Sequence, residues 1–118
     1  MIRIMIIRWF VNTIALAVAS FLIPGISYYL FKDLVIAAAL FGILNTFIKP
    51  ILIILTLPIN LLSLGLFTFI INAIMLGLTG SFLEGFIVSG FWSSLAGAII
   101  ISIVSVVLNS MLKEDEHK

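Results

Sequence analysis

The chain has no cysteine, a single histidine and very little charge: only 9% of its 118 residues are Asp, Glu, Lys or Arg. Without cysteine there are no disulfides, no thiolate metal sites and no thiol nucleophile. His117 stands in a charged C-terminal tail, where a solvated side chain is its simplest use. A net charge of +1 offers no electrostatic footprint for nucleic acid. Scarce charge also argues against a water-soluble domain, in which roughly 25% of residues are charged. Hydrophobic residues fill the space, at 64% of the chain with a mean hydropathy of +1.40. From Pro50 to Leu83 no charged side chain occurs. One bilayer crossing needs only ~20 apolar residues, so lipid is the solvent that suits this composition.

Four apolar runs are long enough to cross. They extend from about Met5 to Ile23, Leu34 to Lys49-Pro50, Leu64 to Leu83 and Phe91 to Leu112. The first ends at Pro24-Gly25, and the last precedes the charged tail 113–118. None alternates apolar with polar residues, so helices are expected and not barrel strands. The predicted fold is an all-α integral membrane protein with four transmembrane helices in a single domain. Arg3 and Arg8 ahead of the first run imitate a signal peptide, but no small-x-small cleavage site leads into a soluble domain. The first run is therefore read as a retained span.

Orientation follows from the basic residues. Four crossings put both termini on one side, with five of the six Lys and Arg residues: Arg3, Arg8, Lys49, Lys113 and Lys118. Lys32 falls on the other side, with Asp33 beside it and Glu84 in the second outer loop. The positive-inside bias places both termini in the cytoplasm. Trp9 and Trp92 are placed as interfacial aromatics.

A shift of sixty residues lays 11–50 on 71–110 without a gap. Asn12 then meets Asn72, Gly25 meets Gly85, Phe31 meets Phe91 and Ala38 meets Ala98. The loops Pro24-Gly25 and Glu84-Gly85 coincide. This predicts two tandem hairpins, about 4–50 and 64–112, related by a pseudo-twofold axis along the membrane normal. Residues 50–63 lie between the copies and have no counterpart. This apolar segment is expected to continue the second helix past a kink at Pro50 to about Leu57, or to be re-entrant with a break at Pro58. Lying along the interface would need a polar face, which Asn60 and Ser63 hardly supply. Pro24, Gly25, Pro50, Pro58 and Gly65 are the expected helix breaks.

Few side chains can carry chemistry. Asn12, Asn45 and Asn72 fall inside spans, and Lys49 follows Asn45 by one helical turn on the same face. The repeat puts Ser105 in the place of Asn45 and Asn109 in that of Lys49. These six are the candidate cluster near the inner leaflet. Interhelical asparagine glue with a snorkelling lysine is one use for them, and a pocket for an anionic lipid headgroup is the other. Small residues recur four apart at Ala15/Ala19, Ala38/Gly42, Gly77/Ser81 and Ser93/Gly97. They suit either close packing within the chain or self-association. Asp33 and Glu84 are read as exposed interfacial charges. No catalytic arrangement, metal cluster or cofactor site is expected.

The string Asn45-Thr-Phe-Ile-Lys49-Pro50, then Leu55-Thr-Leu-Pro58, Leu64-Gly-Leu-Phe67 and Asn72-Ala73, resembles the bacterial four-span phage holin family, holin superfamily IV. These are mycobacterial-phage-holin-like, YvlD-like proteins. The Pro24-Gly25 turn and Gly85-Phe-x-x-x-Gly-Phe-Trp92 share the resemblance, which covers nearly the whole chain. Lys49 stands where the family usually has Arg, and Glu84 where a second Pro-Gly turn is usual. The family name implies hole formation, but most such proteins are chromosomal products, some of which resemble parts of envelope-stress gene sets. The expected function is a non-enzymatic protein of the bacterial cytoplasmic membrane that self-associates or binds lipid in envelope maintenance. A holin-like pore and a small-molecule or lipid transporter are the alternatives.

Overall fold

The computed structural model describes the backbone of residues 2–116 and the side chains of residues 2–112; His117 and Lys118 lie outside the described residues. Apart from two short strands the chain is helical. The order is α1 (Ile2–Leu22), β1 (Ile26–Tyr28), α2 (Phe31–Leu55), α3 (Leu57–Leu62), α4 (Phe67–Phe82), β2 (Phe86–Val88) and α5 (Gly90–Glu116). Three helices, α1, α2 and residues Gly90–Leu112 of α5, are long and apolar enough to cross a membrane. The apolar α4 is shorter at 16 residues, or about 24 Å at 1.5 Å per residue. The protein is thus an all-α membrane protein.

The helices close a ring in which α1 and α4 each pack against both α2 and α5. Small residues dominate the contact. Ala15, Ala19, Ala37, Ala38 and Ala98 are buried beside Leu16, Leu76, Met75 and Phe86. In lipid, apolar burial does not distinguish a helix from its surroundings, so association depends on close backbone approach and dispersion. Ala15, Ala19, Ala38 and Gly97 are therefore already used inside the chain.

The sequence reading contains no strands. The structure pairs β1 with β2 antiparallel, Ile26 opposite Val88, Ser27 opposite Ile87 and Tyr28 opposite Phe86. Two further bonds flank the ladder: the Ser89 N–H donates to Gly25 O (2.7 Å) and the Tyr29 N–H to Gly85 O (3.1 Å). Each loop thereby satisfies the other's backbone. Ile26 and Phe86 turn inward and are fully buried. The glycines allow the approach. A Cβ on Gly25 would overlap the Ser93 side chain, and one on Gly85 the Asp33 carboxylate. Asp33 accepts from the Leu30 N–H (3.0 Å) and caps α2 with a favourable charge at its N-terminus.

Positions sixty apart share their surroundings. Val11 and Ile71, Leu16 and Leu76, Ala19 and Thr79, Ile26 and Phe86, Leu34 and Ser94, and Phe41 and Ile101 are all buried. The ladder pair Ile26–Val88 becomes Phe86–Tyr28 under the same shift, which is itself a ladder pair.

Of the two courses expected past Pro50 the structure takes the continuous one: α2 runs through Pro50, which does not end the helix, and stops at Leu55. Loss of one N–H is a local cost, whereas ending a helix in an apolar setting would strand several carbonyls. The break falls at Thr56, and Pro58 lies in the first turn of α3, where its missing N–H costs nothing. The run expected from Leu64 is helical only from Phe67, because Leu64 (φ 57°) and Gly65 (φ 87°) take positive φ. Helices α2 and α5 contain the predicted runs and extend them, and α1 starts three residues before its run and ends one residue short of it, at Leu22.

Gly85→Ala is expected to destabilise the protein by about 1–3 kcal/mol through overpacking against Asp33. Gly65→Ala, with open space around its Cβ position, should cost only the positive-φ strain of about 1 kcal/mol. Thermal unfolding in detergent micelles checks both, and Asp33→Ala should recover part of the Gly85→Ala loss.

Candidate functional site

Helix α2 carries Gly42, Asn45 and Lys49 at spacing i, i+3, i+7, which is one stripe of an α-helix. At its upper end Asn12 of α1 packs over Gly42, its Nδ2 3.1 Å from where a Cβ would stand. The absent side chain is thus filled by an amide from the neighbouring helix. One turn further along, the Asn45 Oδ1 is buried with no hydrogen-bond partner. Lys49 follows, half-buried. An unpaired buried amide oxygen costs about 1–3 kcal/mol.

The other predicted members are dispersed. Asn72 is half-buried on α4, Ser105 half-buried on α5, and Asn109 exposed near the end of α5. Among the described residues no hydrogen bond joins any two of the six. Asn12, Asn45 and Lys49 therefore form the compact part of the site, on α1 and α2.

A second polar group was not foreseen. Asn60 is 7% exposed. Its Nδ2 donates to Thr56 Oγ1 (3.1 Å), and its Oδ1 accepts from Thr68 Oγ1 (3.1 Å). Thr56 Oγ1 in turn donates to Leu52 O at the end of α2 (2.7 Å). One side chain so links α2, α3 and α4. Its sequence signal is the i, i+4 pair Thr56/Asn60 in a segment otherwise nearly all aliphatic, which serves no solvent-facing surface. Elsewhere, polar groups return to the backbone. Thr79 Oγ1 donates to Met75 O (2.9 Å), and Ser94 Oγ donates to Ala73 O across the α4–α5 contact. The Trp9 indole N–H, expected at an interface, donates to Val35 O (2.9 Å) and ties α1 to α2.

Residues 3–107 match the family described as "Mycobacterial 4 TMS phage holin, superfamily IV". The chain belongs to this family. An uncharacterised protein of Streptomyces coelicolor is 37% identical over 121 residues, covering 94% of this chain and 97% of the relative. The uncharacterised membrane protein YvlD of Bacillus subtilis is 36% identical over 109 residues, with 92% of each chain covered. No solved structure matches the chain. The match extends over both hairpins and the α3 region, so the Asn45–Lys49 stripe and the Asn60 link both lie within the family's span.

Asn60→Leu should lower stability by about 1–2 kcal/mol, since it removes the link and leaves the Thr68 hydroxyl without its acceptor. Asn45→Leu should be neutral or mildly stabilising, because its Oδ1 has no partner to lose. Chemical denaturation of the two variants in the same detergent makes the comparison.

Proposed function

We propose that the chain crosses the bacterial cytoplasmic membrane four times as two tandem hairpins, both termini in the cytoplasm, and binds anionic lipid in envelope maintenance without catalysing a reaction. The duplication is supported by the burial shared between positions sixty apart and by the ribbon that maps onto itself under the same shift. The topology is supported by the ring of helices and by the bias of Lys and Arg toward one side. A short α4 crosses in this reading because the apolar turn before it adds to its reach.

The observation that carries the lipid reading is the Asn45–Lys49 stripe. It offers a cation and, one turn away, a buried acceptor lacking a donor. An anionic headgroup such as that of phosphatidylglycerol offers its phosphate to Lys49, with the Asn45 amide one turn deeper along the same stripe. Lysine suffices here because a point charge needs no bidentate geometry. Self-association through the small-residue pairs has less support, because Ala15, Ala19, Ala38 and Gly97 already face the chain's own core.

A second reading, a pore-forming oligomer, is favoured by the family's description. It would need polar outer faces to line a conduit. The exposed faces are instead dominated by Ile, Leu, Phe and Val, and the exposed Thr46 returns its hydroxyl to Gly42 O (2.8 Å).

Lys49→Gln should weaken phosphatidylglycerol binding about tenfold, equivalent to about 1.4 kcal/mol, and Asn45→Leu should weaken it without loss of stability. Native mass spectrometry of protein released from nanodiscs reads both. Unchanged lipid retention in both variants would remove the lipid site. Dye leakage on induced expression in intact cells would establish the pore in its place.

A further inference from the structure

The turn from α3 into α4 is built to do without water. From Ser63 to Phe69 every backbone N–H has a partner inside the chain. Ser63 donates to Ile59 O (3.0 Å), Leu64 to Leu61 O (3.3 Å), Gly65 to Asn60 O (2.8 Å) and Leu66 to Ser63 O (3.1 Å). Phe67 donates to Ser63 Oγ (3.2 Å), Thr68 to Gly65 O (3.1 Å) and Phe69 to Leu66 O (3.1 Å). The bonds of Leu64 and Gly65 are the two of a Schellman motif closing α3. Its left-handed position is normally Gly but here is Leu64, at φ 57°. An ordinary aqueous loop leaves many of these donors to solvent.

Side chains follow the same plan, inverted from that of a soluble loop. Thr56, Asn60, Ser63 and Thr68 bond to one another and to local backbone. Leu61, Leu62, Leu64 and Leu66 face outward, Leu62 at 86% and Leu64 at 93% exposure. Water would favour the reverse arrangement.

We propose that residues 56–66 form an elbow that turns at the lipid interface on the Lys49 side, its leucines inserted among the acyl chains. This rests on the proposed four-crossing topology. Lipid is the occupant, and not a second copy, for two reasons. The exposed Leu61, Leu62, Leu64 and Leu66 are nearly consecutive, whereas a docked helix reads a stripe at i, i+3, i+4. The elbow's surface also continues without a polar interruption into the exposed Ile51, Ile54 and Leu55 of α2. A fluid solvent covers such a projection where a rigid partner would need a matching pocket.

The natural absence of cysteine makes the test clean. Leu62→Cys and Leu64→Cys, with Glu84→Cys and Lys118→Cys as references, are exposed to a membrane-impermeant maleimide in intact cells and in everted vesicles. Position 84 should label from outside and 118 from inside. Positions 62 and 64 should label from neither face, about tenfold more slowly than the references, and fully once the membrane is dissolved in denaturing detergent. Bimane attached at 62 or 64 should be quenched by lipids carrying a nitroxide on the acyl chain. Labelling at 62 and 64 from inside at the rate of 118 would overturn the elbow, as would efficient disulfide dimers at these positions. References that label from one and the same face would overturn the four-crossing reading, and the elbow with it.

Discussion

A backbone in an apolar medium must find its own hydrogen-bond partners, and most of this structure is arranged around that demand. Helices meet it along their length. The difficulty lies where the chain reverses, because each reversal frees donors and acceptors that water would otherwise occupy. The chain uses two different solutions. At one end the two hairpin loops satisfy each other, through the Ile26–Tyr28 and Phe86–Val88 ladder and the bonds of Tyr29 and Ser89. At the connection between the hairpins no second loop exists to pair with, so the turn is closed by its own carbonyls and by Ser63.

Both solutions set requirements on sequence. The ladder brings each loop against the first turn of the other hairpin's returning helix, which leaves no room for a Cβ at Gly25 or Gly85. The turn needs a residue at positive φ, and places Leu64 there despite a strain of roughly 1–2 kcal/mol. It also needs Asn60, whose amide is both donor and acceptor and can therefore join two threonine hydroxyls. Polar side chains in this protein mostly serve the backbone or each other. Asn45 stands apart as a buried acceptor with no partner, which is why functional weight falls on the stripe it shares with Lys49.

Much of the helical frame was legible because composition and span length speak directly to lipid. Apolar runs located α1, α2, α4 and α5, and Gly25 and Gly85 marked the reversals. Sequence alone leaves the course past Pro50 open between a continued helix and a re-entrant segment, because proline's local cost does not decide between them; the larger cost of ending a helix in an apolar setting favours the continuation that α2 shows. The ribbon escaped notice since three-residue strands such as Ile26-Ser27-Tyr28 leave no periodicity to detect, and their partner lies sixty residues away. Asn60 was judged only as a candidate surface residue. Its inward role depends on Thr68, eight residues on across a turn, which spacing on one helix does not reveal. Of the candidate site, the Asn45–Lys49 pairing was readable from one helical turn, but the packing of Asn12 over Gly42 required the contact between helices.

The proposed duplication sharpens where function resides. Related positions can be compared within one molecule, and their differences are not spread evenly. In the second hairpin the buried polar departures are Thr79 for Ala19 and Ser94 for Leu34, and both hydroxyls are bonded to backbone carbonyls. In the first hairpin, near the end of α2, Asn45 stands for Ser105 and Lys49 for Asn109, which introduces an unpaired acceptor and a cation. The connecting elbow follows Lys49 within two turns of helix. Under the proposed lipid reading, two hairpins that share a core but differ in the chemistry they leave unsatisfied would carry a single ligand site, on the first hairpin beside the elbow.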